Sequence, residues 1–395
     1  MRKIDHDAVL RARVLLLGSD RGDPLEEVDA YRVLAEVSPR AYLPKLVDAL
    51  LLMSYRSRDP EVDLLLTGEA VEAVRRTTDG GAAPRRDERL RSALHAYQRA
   101  LFALGRREEG RAVCEELAEA GQSEPLARAL AEEGRYLEAA ALNEEELARG
   151  GGSELFFWDM TPWAANLEGA GRYDEATAVF ARLVDGTRCE AAGQPTALPV
   201  LIWELVHLSR MYERAGRGKE AAAARGEALA ALEELATSDG PRGGMGDLDR
   251  WATLFVMSGR DDEPVASAEA PSLAFGTDFR RVSGARDAFI DALPDLEARA
   301  DALVACGADR LPELVDVRRR ISVRLVLRQG DHPYRFEERL TPTFGEGVAL
   351  ARRLQGDPVR LARALTDRSM FYAATRAFEP AHADLAEAIA VLDIR

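Results

Sequence analysis

Residues 163–183 read WAANLEGAGRYDEATAVFARL, and the turn at their centre decides the fold. Apolar residues recur at helical spacing on both sides of Gly171, so the stretch is two helices meeting at one short turn. A glycine there ends the first helix by taking a left-handed conformation that strains other residues. Two positions on, Tyr173 is expected to pack into the seam between the helices. Five positions on, Ala176 is small enough to let antiparallel helices approach closely.

The phrase recurs along the chain. GRYLEA stands at 134–139, GRGKEA at 216–221 and a weaker copy, GRREEG, at 105–110. Near the end, RAFEPA at 376–381 keeps the layout with Arg376 in the place of the glycine. A hairpin of this kind leaves one apolar face open, and neighbours must stack to cover it.

These motifs resemble the tetratricopeptide repeat (TPR) family, in which the second helix of each hairpin opens with G-x-Y-x-x-A. Residues 163–183 match best, with Ala176, Phe180 and Leu183 at the packing positions. Residues 39–74 look like the longer repeats of bacterial multi-repeat proteins, YLPKL opening one helix and GEAVEAV closing the next. The resemblance covers 39–260 and 343–392. It implies an all-α fold, an α-α superhelix or TPR-like solenoid of antiparallel hairpins. The turns are spaced 29, 37 and 45 residues apart, against about 34 in regular repeats, so the array is irregular.

Helical periodicity dominates elsewhere. The one strand-like run, ISVRLVL at 321–327, reads equally well as a helix continuing from Leu311. Gly, Pro and Asp collect between Thr237 and Asp278, around a short helix at Trp251–Ser258. This predicts two lobes, 1–238 and 280–395, joined by a loop-rich connection at 239–279. Helices are expected near 284–305, 311–328, 342–355, 358–375 and 378–392. The apolar stripe Leu385, Ile389 and Leu392 of the last helix either folds back on the preceding helix or makes a dimer contact, so a monomer or weak homodimer is expected.

Composition excludes several function classes. A net charge of −15 with Arg and Glu/Asp alternating leaves no basic patch for nucleic acid. Cys114, Cys189 and Cys306 are too far apart for a zinc site or a disulfide framework. The charged N-terminus is not a signal peptide, and no apolar run approaches a membrane span. The chain is therefore read as cytoplasmic. No Gly-rich loop ends in Gly-Lys-Ser/Thr; GGMGD at 243–247 lacks the lysine and a preceding strand. The five histidines neither pair at helical spacing nor flank a cysteine, and Glu144–Glu146 and Glu337–Glu338 read as solvated helix faces. No catalytic residue, metal or cofactor is expected, and the chain is not read as an enzyme.

The repeat register that the resemblance implies places particular side chains on the concave face. They are Lys45, Asp48, Leu52 and Tyr55 in one hairpin, then Ser92, His95, Arg99 and Phe102 in the next. Glu124 and Arg128 follow, then Trp158, Thr161 and Ala165, then Trp203, Val206 and Arg210. Aromatics and arginines dominate binding hot spots, which singles out Trp158, Trp203, Arg99, Phe102, Arg128, Arg210, His95 and Tyr55. The expected function is a scaffold or adaptor holding a protein or peptide partner in the groove. The alternative is a regulatory sensor that binds a small ligand or peptide and controls a transcription factor or enzyme in trans.

Overall fold

The computed structural model describes residues 5–17, 23–77, 83–149, 157–237, 248–278, 284–329 and 336–393. Among them the secondary structure is entirely helical. The sequence signals the helix starts locally. Asp23, Asp59 and Asp357 each precede a proline, and each carboxylate accepts from a backbone N–H of the first turn. The proline gives up only an N–H that would have had no partner there.

The chain falls into two compact units, Met1–Leu126 and Ala127–Arg395. The first holds α1 (His6–Leu17), α2 (Pro24–Val37), α3 (Pro39–Arg56), α4 (Pro60–Arg75), α5 (Ala83–Ala103) and α6 (Arg107–Glu119), and the division falls inside α7 (Glu124–Glu132). Each of α1 to α5 packs on the next, and α3 also touches α5. Val28, Leu43, Val47, Leu50, Ala70 and Leu94 form the centre of this unit's core.

The second unit begins with α8 (Tyr136–Arg149), α9 (Phe157–Gly169), α10 (Tyr173–Gly193), α11 (Leu198–Arg214) and α12 (Gly218–Thr237), again packed in succession. Then come α13 (Leu248–Met257), α14 (Gly284–Asp291), α15 (Leu293–Cys306), α16 (Leu311–Gln329), α17 (Phe336–Arg353), α18 (Pro358–Ala374) and α19 (Phe378–Asp393). The neighbour of α12 is α19, from which α18, α17, α16 and α15 follow in reverse order of sequence. The stripe on α19 is thereby covered: Leu385 is fully buried, and Ile389 and Leu392 pack at the core's edge. ISVRLVL lies within α16, and the helix expected at 284–305 is two, separated at Ala292.

The hairpin turns follow the expected chemistry. Gly105, Gly134, Gly171 and Gly216 all have φ between 71° and 77°. Each turn is closed by the same hydrogen-bond pair, as at Gly171 N–H to Glu168 O (2.9 Å) and Arg172 N–H to Leu167 O (2.9 Å). At the fifth turn Arg376 adopts φ 62°, the one positive φ of a non-glycine among the described residues. The small residue five positions on is buried to 0% exposure at Ala139, Ala176, Ala221 and Ala381. At Gly110, a Cβ would sit 2.9 Å from the ring of Phe102. The aromatic two positions on varies: Tyr173 is 43% exposed, whereas Tyr136 is half-buried against Gly169 of α9 and Phe378 packs half-buried on the core.

Left-handed backbone costs an L-residue roughly 1–2 kcal/mol. Arg376→Gly is therefore expected to stabilise the chain by about 1 kcal/mol, read as a shift in the urea midpoint. A loss of stability would mean that contacts of the Arg376 side chain outweigh the strain.

The segment expected to connect two lobes is part of the second unit's core. In α13 every residue from Trp251 to Met257 is buried, and the helix is enclosed by α11, α16 and α18. A short helix that is apolar on all faces has no solvent side to show. Downstream, Ser272 N–H donates to Glu132 O at 2.9 Å, and a Cβ on Gly276 would lie 2.8 Å from Thr161 O. The chain is thus divided at 126/127 rather than across 239–279. Residues 238–247, including GGMGD, lie outside the described residues.

Candidate functional site

The eight residues singled out from the sequence divide between the units. In the first, Tyr55 is 81% exposed and Arg99 is exposed, whereas His95 is half-buried with its Nε2 2.6 Å from Gln122 Oε1. Phe102 is buried, its ring under Gly110 and beside the Arg107 guanidinium. On α3, Lys45, Asp48 and Leu52 are exposed together with Tyr55, and Arg89 of α5 pairs with Asp48 at 3.0 Å. Of the first-helix positions of these two hairpins, Lys45, Asp48, Leu52, Tyr55, Ser92 and Arg99 are accessible.

In the second unit, Arg128 is half-buried beside Phe275 and Thr277, and Trp158 packs half-buried at the edge of the core with Phe157 edge-on at 4.9 Å. Trp203 retains only 4% exposure, so it belongs to the core and not to a contact surface. The reason is tertiary: α11 is covered by α10, α12, α13 and α18.

Trp203 and Arg210 are nevertheless brought together. With Val206 and His207 they form one face of α11, which meets Trp251 and Leu254 of α13 across a small half-open pocket. Asp367 and Met370 of α18 close it. About 20 Å³ admits the centre of a water-sized sphere, within some 270 Å³ of open space. Among the described residues the indole N–H groups of Trp203 and Trp251 and both nitrogens of His207 have no hydrogen-bond partner. Burial, then the positive charges of Arg210 and Arg214, hold the His207 imidazole well below its usual pKa. It is neutral at pH 7, offering one donor and one acceptor.

Behind this pocket lies a buried ion network. Arg210 Nη2 donates to Asp367 Oδ1 at 2.6 Å, and Arg319 Nε donates to Oδ2 at 2.8 Å. Arg319 also reaches Asp262 (2.7 Å) and the Ser258 hydroxyl (2.7 Å). Burial pushes the Asp367 carboxyl up, but Arg319 and Arg210 outweigh it and hold the group below the usual carboxylate range. A second pocket shares Phe255 and Asp367 as walls and has Arg360 and Arg363 on its rim. There Arg360 and Arg363 both bind Asp316, at 2.7 and 2.8 Å.

Glu204, also on α11, is completely buried, and among the described residues neither carboxylate oxygen has a hydrogen bond of good geometry, the Thr187 hydroxyl being its nearest weak donor. Burial raises its pKa from 4.5 to about 7, with Thr187 and Arg250 opposing only part of the rise. The folded state therefore binds this proton more tightly than the unfolded chain. Its stabilising effect is complete below about pH 4.5 and is lost as pH rises through 7. Relative to the wild type, Glu204→Gln should gain on the order of 3 kcal/mol between pH 4 and pH 8, measured by urea unfolding at both values. An unchanged difference would show that Glu204 keeps an ordinary pKa.

The sequence carried partial signals for what was missed. Glu204 and His207 interrupt an otherwise apolar run, and WATLFVM at 251–257 carries no charged residue. The pairing of Arg319 with Asp367 has no local signal, because the two lie on different helices. In chemical terms the second unit offers donors and a neutral imidazole in a small apolar-walled space. Among the described residues no group of His, Cys, Asp and Glu could hold a metal ion, and no helix is long and apolar enough to cross a membrane. No family model and no curated protein sequence matches the chain.

Proposed function

We propose that the chain is a non-enzymatic adaptor, a TPR-like solenoid whose hairpins hold a protein or peptide partner. The observation that carries this reading is the recurrence of one turn geometry at Gly105, Gly134, Gly171, Gly216 and Arg376, each followed by a buried small residue. Stacked hairpins of that kind build binding surfaces from their first helices. The accessible surface in the first unit combines Leu52 and Tyr55 with Arg99, residue types that suit a peptide contact.

The test replaces Tyr55 and Arg99 with Ala, both exposed and outside the core. Binding of the partner captured by the wild-type chain is expected to weaken by about thirtyfold or more, as for loss of a hot spot worth roughly 2 kcal/mol. Circular dichroism should not change. Undiminished capture by a folded variant would remove this surface from the reading.

A second reading has its own support in the polar pocket of the second unit. In it the chain is a sensor that binds a small ligand and acts in trans on a regulator or enzyme. A pocket with unpartnered donors in a buried wall is the usual form of a small-molecule site.

A further inference from the structure

Four polar groups around the α11–α13 pocket have chemistry to spare. Trp203 and Trp251 are 4% and 1% exposed, and their indole N–H groups meet no acceptor among the described residues. Buried donors are nearly always paired, and each one left without an acceptor is costly. His207, 3% exposed, adds one donor and one acceptor, both without partners. Arg210 uses only Nη2, on Asp367, so the rest of its guanidinium makes no bond within the described residues. Donors outnumber acceptors. The remaining walls are the apolar Val206, Leu254, Phe255 and Met370 and the carboxylate of Asp367, whose charge Arg210 and Arg319 already offset.

We propose that this pocket receives the carboxylate of a small apolar acid. Its two oxygens accept from the Trp203 and Trp251 N–H groups and from the unused nitrogens of Arg210. Its apolar part lies against Val206, Leu254 and Met370. The size and charge of the pocket select this chemistry. The pocket is small and half-open, so only the polar head of a ligand enters it. A flat monoanion suits a guanidinium fork. A tetrahedral dianion would face Asp367, which Arg210 and Arg319 already share. A cation would meet the same two arginines. The inference names the ligand class for the sensor reading and rests on it; it does not depend on the partner surface of the first unit.

The probe is butyrate, with butyramide as its neutral isostere, titrated against the whole chain by calorimetry. Butyrate should bind with a Kd tighter than about 1 mM, and butyramide at least about tenfold more weakly. Trp203→Phe keeps a six-membered aromatic ring and removes the donor with the five-membered one. It should weaken butyrate about tenfold and, as a large-to-small change in the core, lower the melting temperature of the free chain only modestly. A purely structural tryptophan would not split those two readouts. Equal or tighter binding of butyramide would overturn the carboxylate assignment while leaving the sensor reading in place. If neither compound binds, and crystals soaked in both hold only water in the pocket, the assignment and the sensor reading fall together.

Discussion

Replacing Asp367 with Asn should cost about 3–5 kcal/mol of stability at pH 7, the largest effect expected of any near-isosteric change in the chain. The side chain keeps its shape, so no cavity forms. What is lost is the carboxylate that Arg319 and Arg210 approach at 2.8 and 2.6 Å. Arg319 is 8% exposed and retains Asp262, whereas Arg210 loses its carboxylate partner among the described residues. Breaking one side of a largely buried pair leaves the other charge poorly solvated and without its counter-charge, which is why the penalty exceeds the net value of the pair. Arg319→Met added to Asp367→Asn should recover part of the loss. Equilibrium unfolding in urea measures both. A cost below about 1 kcal/mol, the range of exposed ion pairs, would show that the network is solvated. The pH dependence has a definite sign as well. Because Asp367 is held below 3.8, its contribution is complete above that value and disappears as pH falls through the depressed pKa.

Trp251→Ala is expected to cost a similar 3–5 kcal/mol. Its ring is 1% exposed, stacked on Phe255 at 5.5 Å and edge-on to Phe336 at 5.3 Å, with Phe371 at 6.1 Å. Removing it opens a cavity among rings that cannot collapse inward without leaving their own contacts. Trp251→Phe should cost much less, since the indole N–H has no partner to lose. The pair of variants tests where the segment 248–278 belongs. In a loop-rich connection between lobes, the alanine change would fall within about 0.5 kcal/mol of neutral; in the core it removes the central ring.

How much was legible follows the range of the interactions concerned. Capping aspartates, left-handed glycines and the small residue at the fifth position act within one turn of chain, so their residues announce them. Gly171 and Ala176 could be assigned roles from six consecutive letters, and the geometry agrees. Tyr173 could not, because whether a ring is covered depends on what lies across from it. Trp203 shows the same limit more sharply. Its helical register suggested a presented face, but α13 and α18 arrive from far along the chain and bury it.

Sequence alone therefore settled the helical class and the sites of the hairpin turns. These depend on backbone conformation and on residue types at short spacing. The packing of distant helices decided the rest: the division at 126/127, the burial of α13, the covering of α19 by α12 and the Arg319–Asp367–Arg210 network. Burial and charge pairing are properties of neighbours in space, and a helix's own residues do not specify which distant helix will supply them.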